Sequence, residues 1–265
     1  MESSENPAEL MRLFKLTAAT IFQRKAWVIF TFAILILPYV LPWISTASEK
    51  PVLMQPARVQ AAWNILWLCS LSWGLFTAAR EGESNAKSGL GEYFQTTGIG
   101  PNRQLFQLWL AVLIYILPCA MMAALVSQFG AAPGHPLEKD WWWVVILQYS
   151  CLFVLVISPL IAVAISLASR FGGITGFSVC LLLALYGLYG VGYLDSMLKV
   201  EENPILRGVL VFSPQYRFAD LTQRMYFKSG AIATDSFVLM VLYFLGLGVL
   251  YAGVARLCFR TKGDF

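Results

Sequence analysis

Long apolar runs are the feature of this sequence that most restricts its fold. The stretches VIFTFAILILPYVLPW and LFQLWLAVLIYILPCAMMAALV contain no charged residue, and about 20 apolar residues suffice for a helix to cross a membrane. The chain is 58% hydrophobic and only 13% charged, whereas soluble domains carry about 25% charged residues. So few polar residues could not cover so many runs. The sequence therefore predicts an all-α integral membrane protein.

The apolar runs predict six transmembrane helices within one domain, 1–265. We place them near residues 26–44, 59–79, 104–128, 142–169, 174–194 and 235–257. The fourth run is long enough to tilt, to project beyond the bilayer, or to bend at Pro159. No cleavage site of small residues follows the first run, so we expect it to remain as an anchor.

The basic residues predict the orientation of these spans. Six spans place both termini on one side, and that side receives eleven of the 19 Lys and Arg residues. Because Lys and Arg are enriched in cytoplasmic loops, we expect cytoplasmic termini in a multi-pass protein of the cytoplasmic (inner) membrane. The small net charge of +4 lies near span ends, which fits topology better than nucleic-acid binding.

Two further segments have helical character. Residues 8–25 place apolar side chains on one face, which predicts an N-terminal interfacial helix, although they could instead begin a long first helix. Residues 195–234 form a long loop with apolar and aromatic stretches. They predict short outer helices between spans 5 and 6, with an ordinary ordered loop as the alternative.

The sequence lacks the motifs of several functional classes. It has no G-x-x-x-x-G-K-[ST] loop for ATP and only one histidine, His135, which leaves no HExxH or histidine-cluster metal site. Of its Asp and Glu residues only Asp235 falls within the six predicted spans, at the first position of the last one, and the absence of acidic residues from the span interiors disfavours an ion-coupled secondary carrier. We therefore expect no enzyme, no cofactor and no metal in this chain, and any energy for transport must come from another polypeptide.

One polar segment interrupts the apolar runs. REGESNAKSGLGEYFQTTGI, residues 80–99, lies between the second and third predicted spans on the cytoplasmic side. Its glycines, Gly91 among them, bracket a short helix with two aromatic residues, Tyr93 and Phe94. An amphipathic helix with exposed aromatics suits a groove on a partner protein. The alternative is a solvated loop whose aromatics rest on lipid headgroups.

The same segment resembles a motif of the permease subunits of ABC-2 type transporters, in particular the six-span gliding-motility and nitrous-oxide-maturation permeases. In that family an acidic cluster, a Gly and a short helix ending in L-L-T-T-P-V follow the second span. Gly89, Glu92 and Phe94 match its Gly, Glu and Leu, and Thr96, Thr97 and Ile99 match its Thr, Thr and Val. Leu90, Gly91 and Gly98 depart from it. A second similarity, SPQYRFADLTQRMYF, resembles the family's S-P-x-x-x-F-x-x-F-x-R-G segment.

The resemblance implies a function and partners. Family permeases work with a separate P-loop ATP-binding subunit, which binds ATP and magnesium, and with a second permease copy or paralogue. The short helix would be the coupling helix that contacts this subunit, through Glu81, Glu83, Gly89, Glu92, Tyr93, Phe94, Thr96, Thr97 and Ile99. Export is the commoner direction in the family. The other hypothesis is a non-transporting scaffold or anchor of an envelope or motility complex. No residue points to a substrate.

Overall fold

The chain is helical throughout the part that the structure describes. This computed structural model describes residues 11–44, 51–200 and 203–262. Helices make up 86% of it, and these ranges contain no strand. The predicted all-α class is therefore confirmed.

Five helices are long and apolar enough to cross a membrane. They are Ala26–Ile44, Pro101–Gly130, Glu138–Phe171, Gly173–Leu198 and Thr234–Cys258. Each coincides with a predicted span, and the first has the predicted bounds. A multi-pass membrane protein is the class that such a set of helices indicates.

These five helices contain the following elements, named here in chain order. The first is α2 (Ala26–Ile44), which follows the shorter helix α1 (Arg12–Gln23). The second is α6 (Pro101–Leu125) with the π-helical turn Val126–Gly130. The third is α7 (Pro136–Phe171), which continues through Pro159. The fourth combines α8 (Gly173–Leu185), the π-helical turn Tyr186–Gly190 and α9 (Val191–Leu198). The last is α12 (Thr234–Cys258).

The predicted second span, 59–79, is not among the five. It lies within a helix made of α3 (Pro51–Cys69), the π-helical turn Ser70–Gly74 and α4 (Leu75–Lys87). This composite helix carries more polar residues, and much of its surface is covered by other helices. Its surface is not wholly covered, since Leu68 and Phe76 are exposed.

Helix α7 forms the centre of the bundle. It packs extensively against α4 and α12, and Leu160, Ile161 and Ala164 on it are completely buried. Aromatic side chains join it to α3. The ring of Tyr149 stacks on Trp63 at 3.9 Å between centroids.

Helix α1 (Arg12–Gln23) is separate from α2. Lys25 has φ of 54°, which ends α1 before α2 begins at Ala26. The alternative of one long first helix is therefore wrong. Leu13 and Ile21 are buried, and Phe14 N donates to Gln107 Oε1 on α6 at 3.0 Å. Residues 8–10 of the predicted helix lie outside the described ranges.

The predicted loop between spans 5 and 6 is mostly helical. Its described part contains α10 (Pro204–Phe212), the 3₁₀ turn Tyr216–Ala219 and α11 (Thr222–Tyr226). Polar contacts attach it to α7. Tyr149 Oη donates to Asp220 Oδ1 at 2.6 Å. The prediction of short helices is confirmed over that of an ordinary loop, while residues 195–198 belong to α9.

The bundle has two ends with different contents. We call the end that carries α1, the start of α2 and the end of α12 the basal end. There Arg24 pairs with Glu81 at 2.6 Å, and Arg260 N donates to Ser169 Oγ at 3.0 Å. At the opposite end Gln55 Nε2 donates to Ala131 O at 2.6 Å.

Candidate docking surface

A short helix connects α4 to α6 at the basal end. Helix α5 (Leu90–Thr96) is preceded by Gly89 with φ of 75° and followed by Gly98 with φ of 91°. Both values lie in the left-handed region, which glycine adopts without steric cost. Pro101 then begins α6, at a position where a missing backbone N–H costs nothing. The sequence thus defines both ends of α5.

Gln104 fixes the position of α5 from within the protein. Its Nε2 donates to Gly91 O at 2.9 Å and to Ile99 O at 2.8 Å, and its Oε1 accepts from Asn85 Nδ2 at 3.1 Å. Gln104 has no exposed surface. A buried amide that satisfies several partners holds them in one geometry. Gln104 therefore ties the end of α4, helix α5 and the start of α6 together.

The C-terminal tail covers one side of α5. A Cβ atom on Gly91 would lie 2.3 Å from Thr261 O, so only glycine fits there. Thr261 Oγ1 donates to Gln95 Oε1 at 3.0 Å, and Lys262 Nζ lies 3.5 Å from Glu92 Oε1. The tail and Gln104 thus contact α5, a helix of seven residues, from two sides.

The structure divides the predicted contact residues into exposed and buried groups. Exposed ones form the outer edge of α5 and its end, with Tyr93 at 57% exposure: Glu92, Tyr93, Thr96 and Thr97. We call these four residues the α5 edge. The buried ones are Glu81, Phe94 and Ile99. Gly89 and Glu83 are half-buried, and Glu83 pairs with Lys87 at 2.6 Å.

Three details of the sequence-based prediction are wrong. Phe94 is not an exposed aromatic, because only 5% of its surface is accessible and it belongs to the hydrophobic core. Residues 80–87 are the last turns of α4 rather than part of a separate segment. Gly91 lies inside α5 instead of bracketing it. Phe94 is buried because α5 lies against the bundle rather than projecting from it.

A partly buried ion pair lies on α4 at the basal end. Glu81 on α4 pairs with Arg24, which lies between α1 and α2. Burial raises the pKa of Glu81 above its ordinary value, and the Arg24 guanidinium opposes that rise. Breaking such a pair leaves a buried charge without compensation, which is strongly destabilising. The pair thus couples the α1–α2 junction to α4.

Sequence reasoning missed the residues that hold α5. Gln104, Asn85 and Thr261 belong to no motif, and their roles depend on contacts across the chain. The one available signal was a glutamine in the first turn of an apolar helix, near the glycines of the preceding segment.

Within residues 11–44, 51–200 and 203–262, no group of three or more His, Cys, Asp or Glu side chains could hold a metal ion. His135 is exposed and immediately precedes α7.

Comparisons with known proteins gave no match. No family model, no curated protein and no solved structure matches the chain. The geometry of the described residues is therefore the basis of the functional proposal.

Proposed function

We propose that this chain is the transmembrane permease subunit of an ATP-driven ABC-2 type transporter, acting as an exporter with a separate ATP-binding subunit. The observation that supports it is the α5 edge. An exposed Tyr93 with polar neighbours lies on a short helix that Gln104 and the C-terminal tail hold rigidly. Tyrosine is among the residues enriched at protein–protein hot spots.

In this proposal the membrane domain has six spans. The α3–α4 helix is the one added to the five long apolar helices, and it is the second span in chain order. Its beginning contacts the opposite end, where Gln55 binds Ala131. Its last turns reach the basal end, where Glu81 pairs with Arg24. One continuous helix thus runs from one end of the bundle to the other, as a span requires. In this proposal the basal end and both termini are cytoplasmic, because most of the basic residues fall on that side. Helix α1 lies in the membrane interface, as its apolar face favours.

The partner in this proposal is a P-loop ATP-binding subunit. It binds ATP and magnesium and hydrolyses the ATP, so this chain itself has no enzymatic role. The α5 edge inserts into a groove of that subunit, as amphipathic helices commonly do. A second permease copy or paralogue completes the transporter.

Rigid attachment explains how α5 transmits force in this mechanism. When the ATP-binding subunits move, a flexible loop would absorb the displacement. Helix α5 instead passes it to α4 and α6 through Gln104, and to α12 through Thr261. The spans would then move with the partner, which alternates the access of substrate to the two sides.

The experiment is purification of the tagged full-length protein from its native membrane after cross-linking, with the associated proteins identified by mass spectrometry. We expect a P-loop ATPase. The double variant Tyr93→Ala, Thr96→Ala should capture at least about 30-fold less ATPase than the wild type, since truncating a hot spot costs about 2 kcal/mol or more. The control is Tyr193→Ala, which removes a tyrosine that is 69% exposed on α9.

Two outcomes contradict the proposal. If no ATPase is captured with the wild-type protein even after cross-linking, the transporter has no energy source and the scaffold or anchor function replaces it. If the double variant retains the ATPase as well as the control does, the α5 edge is not its docking surface.

A further inference from the structure

A groove opens between α6, α7 and α12. Its volume is about 560 Å³, within the range of about 300–1,000 Å³ that is common for small-molecule sites. Most of its walls are apolar, and Trp109, Leu155, Ala162, Phe244, Gly248 and Ala252 are among the lining residues. The indole N–H of Trp109 is satisfied by Ser158 O at 2.9 Å, so this wall presents the hydrophobic part of the ring.

The groove has one polar end. Asn102 and Arg256 line it there, and both lie at the basal end, because α6 begins at Pro101 and α12 ends at Cys258. The twelve positions from Phe244 to Arg256 correspond to about 18 Å of helix. One leaflet accounts for half of the hydrocarbon core of about 30 Å. The groove thus has the length of one lipid chain, with its polar end at the membrane surface.

Arg256 gives the polar end a positive charge. It is exposed, and no hydrogen bond or ion pair joins its side chain to any residue in the described part of the chain. The lining residues, as far as the structure describes them, include no carboxylate. An apolar groove with one cation at its end complements an amphiphile with one anionic head.

We propose that this groove binds an anionic membrane phospholipid, with an acyl chain along α12 and the phosphate at Arg256 and Asn102. Basic pockets between transmembrane helices on the cytoplasmic side are typical sites for anionic headgroups. The little-covered surface of α12, of which 11% of the most apolar window is buried, lets the lipid enter from the bilayer. This site requires a membrane location but neither an ATPase nor transport.

The test is native mass spectrometry of the full-length protein released from nanodiscs of phosphatidylcholine and phosphatidylglycerol in equal amounts. We expect the wild-type protein to retain one phosphatidylglycerol in preference to phosphatidylcholine. Arg256→Gln should weaken that preference about fivefold, the effect of one basic residue near the surface. Arg260→Gln is the matched control, because Arg260 is at the same end but does not line the groove.

A second variant tests the apolar part independently of the charge. Ala252→Trp fills the groove from an exposed position on α12, so it should abolish retention of both lipids without preventing folding. Val254→Trp, on the same helix but outside the lining, should retain phosphatidylglycerol as the wild type does. Size-exclusion chromatography of each variant verifies that it is folded.

Three results would overturn the inference. The first is equal retention of phosphatidylglycerol in Arg256→Gln and Arg260→Gln. The second is unchanged retention in folded Ala252→Trp. The third is a disulfide-linked dimer of Ala252→Cys, absent from the wild type, in the same nanodiscs, because a second copy would then occupy the groove. None of these measurements depends on ATP, so their failure is distinct from failure of the proposed transporter function.

Discussion

Helices α7 and α12 have similar sequences by composition but opposite environments. Their most apolar windows have mean hydropathies of 2.7 and 2.3, yet 61% of the α7 window is buried and only 11% of the α12 window. Lipid tails are as apolar as leucine, so hydropathy alone does not distinguish a helix that faces protein from one that faces lipid. The difference between the two helices lies in how closely their neighbours pack.

The largest expected effect comes from the same substitution on the two helices. Leu160 on α7 is completely buried, whereas Leu239 on α12 is 67% exposed. Leu160→Ala should lower the free energy of unfolding by about 2–5 kcal/mol, because it leaves a cavity. Leu239→Ala should change it by less than about 0.5 kcal/mol, since its side chain can contact lipid in the folded and unfolded protein alike.

Titration of the purified protein with sodium dodecyl sulfate, followed by tryptophan fluorescence, measures both values. If the two variants unfold at the same detergent fraction, the contrast in burial has no energetic meaning. If Leu239→Ala is the more destabilised, α12 is covered by another protein surface, such as a second copy.

Glycines offer a second, smaller contrast. A Cβ atom on Gly82 of α4 would lie 2.2 Å from Ile165 O on α7, whereas one on Gly246 of α12 would meet nothing within 4 Å. Gly82→Ala should therefore destabilise the protein by about 1–3 kcal/mol through overpacking. Gly246→Ala should leave stability unchanged or raise it by up to about 1 kcal/mol, since alanine is the better helix former.

The same unfolding titration distinguishes these variants. A neutral Gly82→Ala would show that α4 and α7 can separate at little cost. A loss of stability in Gly246→Ala would place a packing partner on the open side of α12. Either result would alter the assignment of α7 as the central helix and α12 as the most exposed of the five long helices.

The sequence predicted the long helices well and their surroundings poorly. The bounds of α2 agree with the prediction because its apolar run is continuous and has clear ends. The helix over the predicted span 59–79 is not among the five most apolar helices, because polar residues such as Asn64, Ser70 and Ser72 interrupt its apolar run. The partner of each helix depends on contacts between distant residues, which periodicity within one run does not encode.

The candidate docking surface was predicted in the same partial way. Local glycines marked α5, since left-handed turns at Gly89 and Gly98 are local properties. Burial of Phe94 depends on contacts outside α5, and the lack of space for a side chain at Gly91 depends on residue 261 of the tail. Only the α5 edge therefore stays available as the predicted contact surface.

The contrast between protein-covered and open surfaces extends to charges at the basal end. Glu81 is buried and pairs with Arg24, whereas Arg256 on α12 is exposed. Burial raises the pKa of Glu81 from its ordinary value of 4.5, and Arg24 only partly offsets it. The folded protein thus holds this proton more tightly than the unfolded chain does.

The resulting pH dependence is the smallest effect and has a definite sign. Because the folded-state pKa is raised, the contribution of Glu81 to stability is most favourable below pH 4.5. It is lost as the pH rises through the raised pKa. The side chain in Glu81→Gln cannot titrate. The wild type should therefore lose stability relative to this variant as the pH rises from 4.5 through the raised pKa of Glu81. Detergent unfolding midpoints at several pH values measure it.

Glu83→Gln is the matched control, since Glu83 is half-buried and pairs with Lys87 on the same helix. It retains Glu81, so its pH profile should keep the contribution that Glu81→Gln loses. If the stability difference between wild type and Glu81→Gln instead shifts in favour of the wild type as the pH rises, attraction to Arg24 outweighs the desolvation of the Glu81 carboxylate. The junction of α1 and α2 would then be held to α4 by a net favourable ion pair, because attraction to Arg24 would exceed the cost of burying the carboxylate.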